Sequence, residues 1–194
     1  MKMLNKVESK ILTIPNIISL IRLLLLVPLV LILQHIEDEF IFRIYALVII
    51  LLMGISDGLD GYLARKLNQI TEFGKMIDPI SDKLIIAVIG LFMFLNNEIT
   101  PAYFILLILR DIYIITGSWF ITSKIHKVLP STLSGKISVV LTGLFLTWCI
   151  IDVNKDSFFY NLLFYSSISM LAISTLVYTL RGLDALKHRE KFLN

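Results

Sequence analysis

The stretch SDGLDGYLARKLNQITEFGKMIDPISDKL, Ser56 to Leu84, decides how this chain reads. Asp57, Asp60, Asp78 and Asp82 interrupt long apolar runs, where a charge is costly unless it is paired, solvated or bound to a cation. Asp57 and Asp60 are three residues apart, Asp78 and Asp82 four. In a helix either spacing puts the pair on one face. The turn between the pairs is short, so two antiparallel helices are expected to bring all four carboxylates together at similar depth. Left alone, such a cluster repels itself and is driven towards protonation, whereas one or two divalent cations turn the repulsion into coordination. Oxygen ligands without His or Cys favour Mg2+ or Mn2+.

Gly58, Gly61 and Ala64 strip bulk from the same helix. Small residues there serve either close helix packing or the close approach of a ligand. Arg65 beside them offers a planar positive fork suited to phosphate. Carboxylates, a small surface and an arginine together describe a site for a diphosphate.

The chain around this stretch is that of an integral membrane protein. Of its 194 residues 57% are hydrophobic, and its mean hydropathy is +0.83, outside the usual range of soluble domains. Six transmembrane helices are predicted, at about 17–35, 40–65, 72–95, 101–123, 132–151 and 157–181. They leave no room for a soluble domain, so residues 1–194 are read as one all-α membrane domain. Residues 1–13 have the spacing of a short interfacial helix. No signal-peptide pattern precedes the first span, which is expected to stay in the mature protein. Connections alternate between acidic (Glu37, Asp38, Glu39; Asp152, Asp156) and basic (Arg65, Lys66; Lys124, Lys127), which puts both termini and the 66–71 and 124–131 loops in the cytoplasm. Pro15, Pro79, Pro101 and Pro130 fall at or near span starts. A net charge of +3 gives no case for nucleic acid. Cys149 lies in an apolar run and is read as a small hydrophobe. His35, His126 and His188 sit in loops or tails without ligand spacing.

The Asp57 to Asp82 stretch resembles the signature of the CDP-alcohol phosphatidyltransferases, D-x2-D-G-x2-A-R-x8-G-x3-D-x3-D. Asp57, Asp60, Gly61, Ala64, Arg65, Gly74, Asp78 and Asp82 fill its fixed positions. The resemblance implies that an acceptor hydroxyl attacks the diphosphate of CDP-diacylglycerol and CMP leaves. It assigns two divalent ions to Asp57, Asp60, Asp78 and Asp82, makes Asp82 the general base, and gives Gly61, Ala64 and Arg65 contacts to the CDP group. It also implies a homodimer, in a bacterial inner membrane.

In PNIISLIR, Asn16, Ser19 and Arg22 recur every three residues. An arginine in an apolar run either faces a polar site or snorkels to headgroups. The segment resembles one that lines the nucleotide pocket in several branches of the family, which implies CDP contacts for Asn16, Ser19 and Arg22. Arg110, Asp111 and Lys136 interrupt spans four and five, and buried basic groups there could bind an acceptor phosphate. Adjacent Arg110 and Asp111 are expected to look to other partners. The Arg110–Asp111 pair resembles the cardiolipin synthases of the family, whose acceptor is phosphatidylglycerol. Gly135–Lys136 and Gly74–Lys75 are similar to the phosphatidylglycerophosphate synthases, whose acceptor is glycerol 3-phosphate, the acceptor taken here. A cation or proton transporter would also bury carboxylates, but it needs neither Arg65 nor the small surface beside them.

Overall fold

The structure is a computed structural model that describes residues 13–67, 72–125, 132–152, 155 and 157–187; within these, the side chains of residues 14, 15, 61, 64, 65 and 72–80 lie outside the description. The described residues form six helices and no strand: α1 (Ile14–Leu33), α2 (Phe40–Lys66), α3 (Glu72–Leu95), α4 (Pro101–Ile125), α5 (Leu133–Ile151) and α6 (Phe158–Lys187). The predicted spans agree with them to within a few residues at most ends. α1 starts earlier than expected because Thr13 caps it, its hydroxyl accepting the Asn16 N–H at 3.5 Å, with Pro15 in the first turn, where a missing N–H costs nothing. α6 runs on to Lys187 because its buried stripe continues through Gly182 and Ala185 among the charged residues. The interfacial helix expected over residues 1–13 falls, but for Thr13, outside the described residues, as do His126, Lys127, Pro130 and His188.

Among the described residues, five of the six helices have the length and apolar composition to cross a membrane, and α3 does not. Asp78, Asp82 and Lys83 crowd into its first half, leaving Leu84–Leu95 as its apolar part.

The chain divides near the end of α3 into two compact units, Met1–Phe92 and Met93–Asn194. In the first, α1 packs along α2. The buried positions of α1 are Asn16, Ser19, Arg22, Leu26, Leu29 and Leu33, steps of three and four that trace one helical face. That face is polar over its first two turns and aliphatic beyond them. Ile17, Ile21, Leu24, Val27 and Leu31 on the other faces are exposed, as lipid-facing side chains are. Pro28 lies inside α1, where the bond it removes is tolerated in an apolar helix.

In the second unit α4 and α5 each pack on α6. Tyr103, Phe145, Tyr160 and Phe164 form the aromatic centre, with the Tyr103 and Phe145 rings 4.8 Å apart. Two phenol hydroxyls are satisfied across it: Tyr103 Oη pairs with Ser167, and Tyr160 Oη donates to the Glu98 carbonyl at 3.2 Å. Cys149 is buried, as its apolar setting suggested. Gly182 lets α6 approach α4, since a Cβ there would stand 2.5 Å from Ile121 Cδ1.

Candidate active site

The polar end of the α1 face meets two of the predicted aspartates on α2 and one on α3. Arg22 Nη1 donates to Asp57 Oδ1 at 2.5 Å and to Asp82 Oδ1 at 2.6 Å. Its Nη2 pairs with Asp60 Oδ2, which also accepts from the Ser19 hydroxyl at 3.1 Å. Arg22 is 1% exposed, Asp60 5%, Asp57 52% and Asp82 46%. One guanidinium therefore joins three carboxylates, one buried and two open to solution.

The helix geometry fixes the depth of this cluster. Arg22 lies about 12 Å along the axis from the start of α1, Asp60 about 9 Å from the end of α2, and Asp82 about 15 Å from the start of α3, at 1.5 Å per residue. All three ends belong to the side on which Arg65 and Lys66 fall.

Arg22 is thus buried against carboxylates and does not snorkel. Asn16 and Ser19 share its face, as their spacing predicted, and both are buried. Gly58 has, among the described residues, nothing within 4 Å of where a Cβ would stand. The described residues thus leave space beside Asp57 at this position. The side chains of Gly61, Ala64, Arg65 and Asp78 lie outside the described residues, so their expected roles stay as sequence expectations.

Among the described residues one guanidinium pairs with three carboxylates, two of them half-exposed. Among the described residues no three carboxylate, imidazole or thiol groups have the close arrangement of a metal site. The donor set nonetheless fits a hard divalent cation: two carboxylate oxygens lie within 2.6 Å of one nitrogen, so they are at most about 5 Å apart, close to the span of two oxygens on one ion.

Arg110 and Lys136 are placed differently from one another. Arg110 is buried, its Nε and Nη2 donating to Ser174 Oγ at 3.3 and 3.1 Å and its Nη1 to Asp111 Oδ1 at 2.6 Å. The expectation that Arg110 and Asp111 look elsewhere is corrected for this pair: the long arginine side chain folds back far enough to reach its neighbour while keeping Ser174. These contacts engage three of the guanidinium's five donors. Lys136 is exposed on the first turn of α5, so the expectation of a buried basic group there is corrected too. Thr132 caps that turn, accepting the Gly135 N–H at 3.1 Å. Ser174 was missed in the sequence, although a serine on the buried stripe of an apolar helix is itself a sign of a polar partner. A cleft of about 360 Å3 opens in this second unit, between Thr116, Gly117 and Ser118 of α4 and Tyr178, Thr179 and Gly182 of α6.

Comparison with known proteins points to one family. The family model described as CDP-alcohol phosphatidyltransferase matches residues 12–179. A protein of Aquifex aeolicus named CDP-diacylglycerol--glycerol-3-phosphate 3-phosphatidyltransferase is 34% identical over 175 residues, 87% of this chain and 95% of the relative. A Bacillus subtilis protein of the same name is 31% identical over 90 residues, 46% of each chain. A Mycobacterium bovis protein provisionally named a cardiolipin synthase is 30% identical over 130 residues, 66% of this chain and 60% of that one.

Proposed function

The chain belongs to the CDP-alcohol phosphatidyltransferase family, and from that premise we propose that it transfers a phosphatidyl group from CDP-diacylglycerol to glycerol 3-phosphate, releasing CMP, in glycerophospholipid biosynthesis. The observation that carries this reading is the convergence of Asp57, Asp60 and Asp82 on a single cationic position. The names of the Aquifex, Bacillus and Rickettsia typhi relatives favour glycerol 3-phosphate as acceptor. Phosphatidylglycerol is the second reading, favoured by the Arg110–Asp111 pair and by the name of the Mycobacterium relative.

In this reading the acceptor oxygen bonds to the phosphorus of the phosphatidyl group, and the bond from that phosphorus to CMP breaks. Asp82, half-exposed at the cluster's edge, takes the acceptor's proton, as a positioned carboxylate can. Asp57, Asp60, Asp78 and Asp82 would hold two divalent ions, Mg2+ or Mn2+. When bound, such ions neutralise the diphosphate and stabilise charge on the leaving CMP. Arg65, with Gly61 and Ala64 beside it, is assigned to the CDP phosphates, and Asn16, Ser19 and Arg22 to the same group from α1. Arg110 and Lys136 are assigned to the acceptor phosphate on their charge.

Residues 1–194 would act as one phosphatidyltransferase domain, and as a homodimer. The alternation of loop charge supports a multi-pass protein of a bacterial inner membrane with both termini in the cytoplasm. The five apolar helices agree with a multi-pass protein. α3 would cross with its charged half at the cytoplasmic interface, leaving the acyl chains in lipid and the nucleotide in water.

The direct test supplies purified protein with CDP-diacylglycerol and Mg2+ and follows CMP release on addition of glycerol 3-phosphate. Release that needs both acceptor and metal supports the reading. Absence of release with every acceptor offered overturns it.

A further inference from the structure

We propose that the cleft between α4 and α6 holds one acyl chain of an anionic phospholipid of the surrounding bilayer, with the lipid phosphate met by Lys124 and Lys187. The inference goes beyond the transfer reaction and does not rest on it.

The walls follow from how α4 and α6 pack. Arg110 donates to Ser174, Tyr113 Oη bonds Thr179 Oγ1 at 2.8 Å, and Ile121 lies against Gly182. These partners advance together along both helices, so α4 and α6 run parallel and end on one side. Among the described residues the cleft is lined by these two helices alone. Tyr113, Phe120 and Leu183 on its walls are exposed, so it opens outward. Both helices are long and apolar enough to span a membrane, and an opening on the surface of such a span meets acyl chains.

The lining suits an apolar guest. Ile114, Phe120, Ile121, Leu183 and Leu186 supply hydrocarbon and aromatic surface. Three of the hydroxyls beside them are already engaged. Thr116 Oγ1 donates to the Ile112 and Tyr113 carbonyls at 2.8 and 3.2 Å. Thr179 Oγ1, the partner of Tyr113, donates to the Thr175 carbonyl at 2.8 Å. A polar guest would give up its water for few new partners, whereas an alkyl chain gives up nothing. Gly117 has, among the described residues, nothing within 4 Å of where a Cβ would stand, which leaves room on the α4 wall.

Length and charge then select a phospholipid. Lys124 stands eleven residues beyond Tyr113 on α4, and Lys187 nine beyond Tyr178 on α6. At about 1.5 Å per residue these are about 16 and 14 Å, against about 15 Å for the hydrocarbon of one leaflet. Both lysines lie in the last turns of their helices, and both are exposed. Lys124 Nζ is 5.8 Å from the ring centre of Phe120, a cleft residue, and Lys187 follows Leu186, another. Exposed Trp119 beside Phe120 marks the headgroup level, where aromatic and basic side chains gather. The other charged residues described at these two helix ends are Arg181 and Asp184, one of each sign. Two positive charges therefore stand at the mouth of an apolar cleft about as long as one leaflet is thick, which is the pattern of an anionic lipid site.

The test adds phosphatidic acid or phosphatidylcholine to the delipidated full chain in detergent and reads bound lipid by native mass spectrometry. Phosphatidic acid should bind more tightly than phosphatidylcholine. That preference should fall about fivefold in Lys124→Gln and about fivefold again when Lys187→Gln is added. Gly117→Leu, which puts a branched side chain into the cleft, should weaken the binding of both lipids. Phosphatidic acid with a photoreactive diazirine near the end of its acyl chain should label residues 113–121 and 178–186. Equal binding of the two lipids, a preference that survives both lysine changes, or label confined to other helices overturns the proposal. A wild-type dimer that Gly117→Leu turns into a monomer would give the cleft to a second copy and overturn it as well. Should Gly117→Leu fail to fold, the surface lysine variants and the label decide.

Discussion

Arg22 Nη1 on α1 stands 2.6 Å from Asp82 Oδ1 on α3, sixty positions further along the chain. The same nitrogen reaches Asp57 on α2 at 2.5 Å, so one atom ties three helices of the first unit together. The position that the family resemblance gives to the general base is therefore set by α1 as well as by α3, and several consequences can be measured.

Replacing Asp82 with Asn keeps the size of the side chain and removes its charge and basicity. Transfer should fall by at least about a hundredfold, the range for losing a positioned base. Asp57 and Asp60 still pair with Arg22, so the fold and CDP-lipid binding should persist. Turnover retained at near the wild-type rate would remove Asp82 as the base.

Gly58 separates packing from ligand access. Gly58→Ala should raise helix stability by about 0.5–1 kcal/mol, the usual cost of glycine in a helix, because no described atom lies within 4 Å of the new Cβ. Gly58→Leu should leave the melting temperature near wild type but raise the KM for CDP-diacylglycerol. A large drop in melting temperature for Leu would return Gly58 to a packing role.

Arg110→Gln and Lys136→Ala form a pair with unequal structural costs. Removing the buried Arg110 charge from Asp111 and Ser174 should destabilise the protein by about 3 kcal/mol, the scale for breaking a buried ion pair. Lys136 is exposed, so its loss should change stability by no more than about 0.5 kcal/mol. Both should raise the KM for the acceptor and leave the KM for CDP-diacylglycerol unchanged. Equal effects on the two substrates would count against an acceptor role.

Gly182 tests the contact between α4 and α6. A Cβ there would meet the Ile121 side-chain tip at 2.5 Å. Gly182→Ala should cost about 1 kcal/mol as that tip moves, and Gly182→Leu about 3 kcal/mol, the upper end of ordinary overpacking. Thermal unfolding in detergent reads both. An unchanged melting temperature for Leu would mean that the two helices do not approach here.

The helices were legible because hydrophobic runs, prolines and charged loops mark a membrane chain at every boundary. The aspartates were legible because a charge in such a run needs a reason. That Arg22 would face a polar site followed from its place on the Asn16–Ser19 face. Its three partners did not follow, because contacts between residues 35 to 60 apart depend on how helices dock and leave no local period. The same holds for Ser174, whose role exists only once α4 and α6 pack. The exposure of Lys136 was hidden as well, since a lysine on the first turn of a helix can face inward or outward with the same sequence. The extension of α6 beyond residue 181 escaped because charged residues normally end a span, whereas here Gly182 and Ala185 keep packing.

The acceptor reaction tests the central claim most directly. The protein would be reconstituted in vesicles holding CDP-diacylglycerol and phosphatidylglycerol, given Mg2+ and glycerol 3-phosphate together, and its lipid products identified by mass spectrometry. Phosphatidylglycerophosphate formed in step with CMP is the predicted result. Cardiolipin as the product would contradict the acceptor assignment, and neither lipid with no CMP would contradict the proposed transfer altogether.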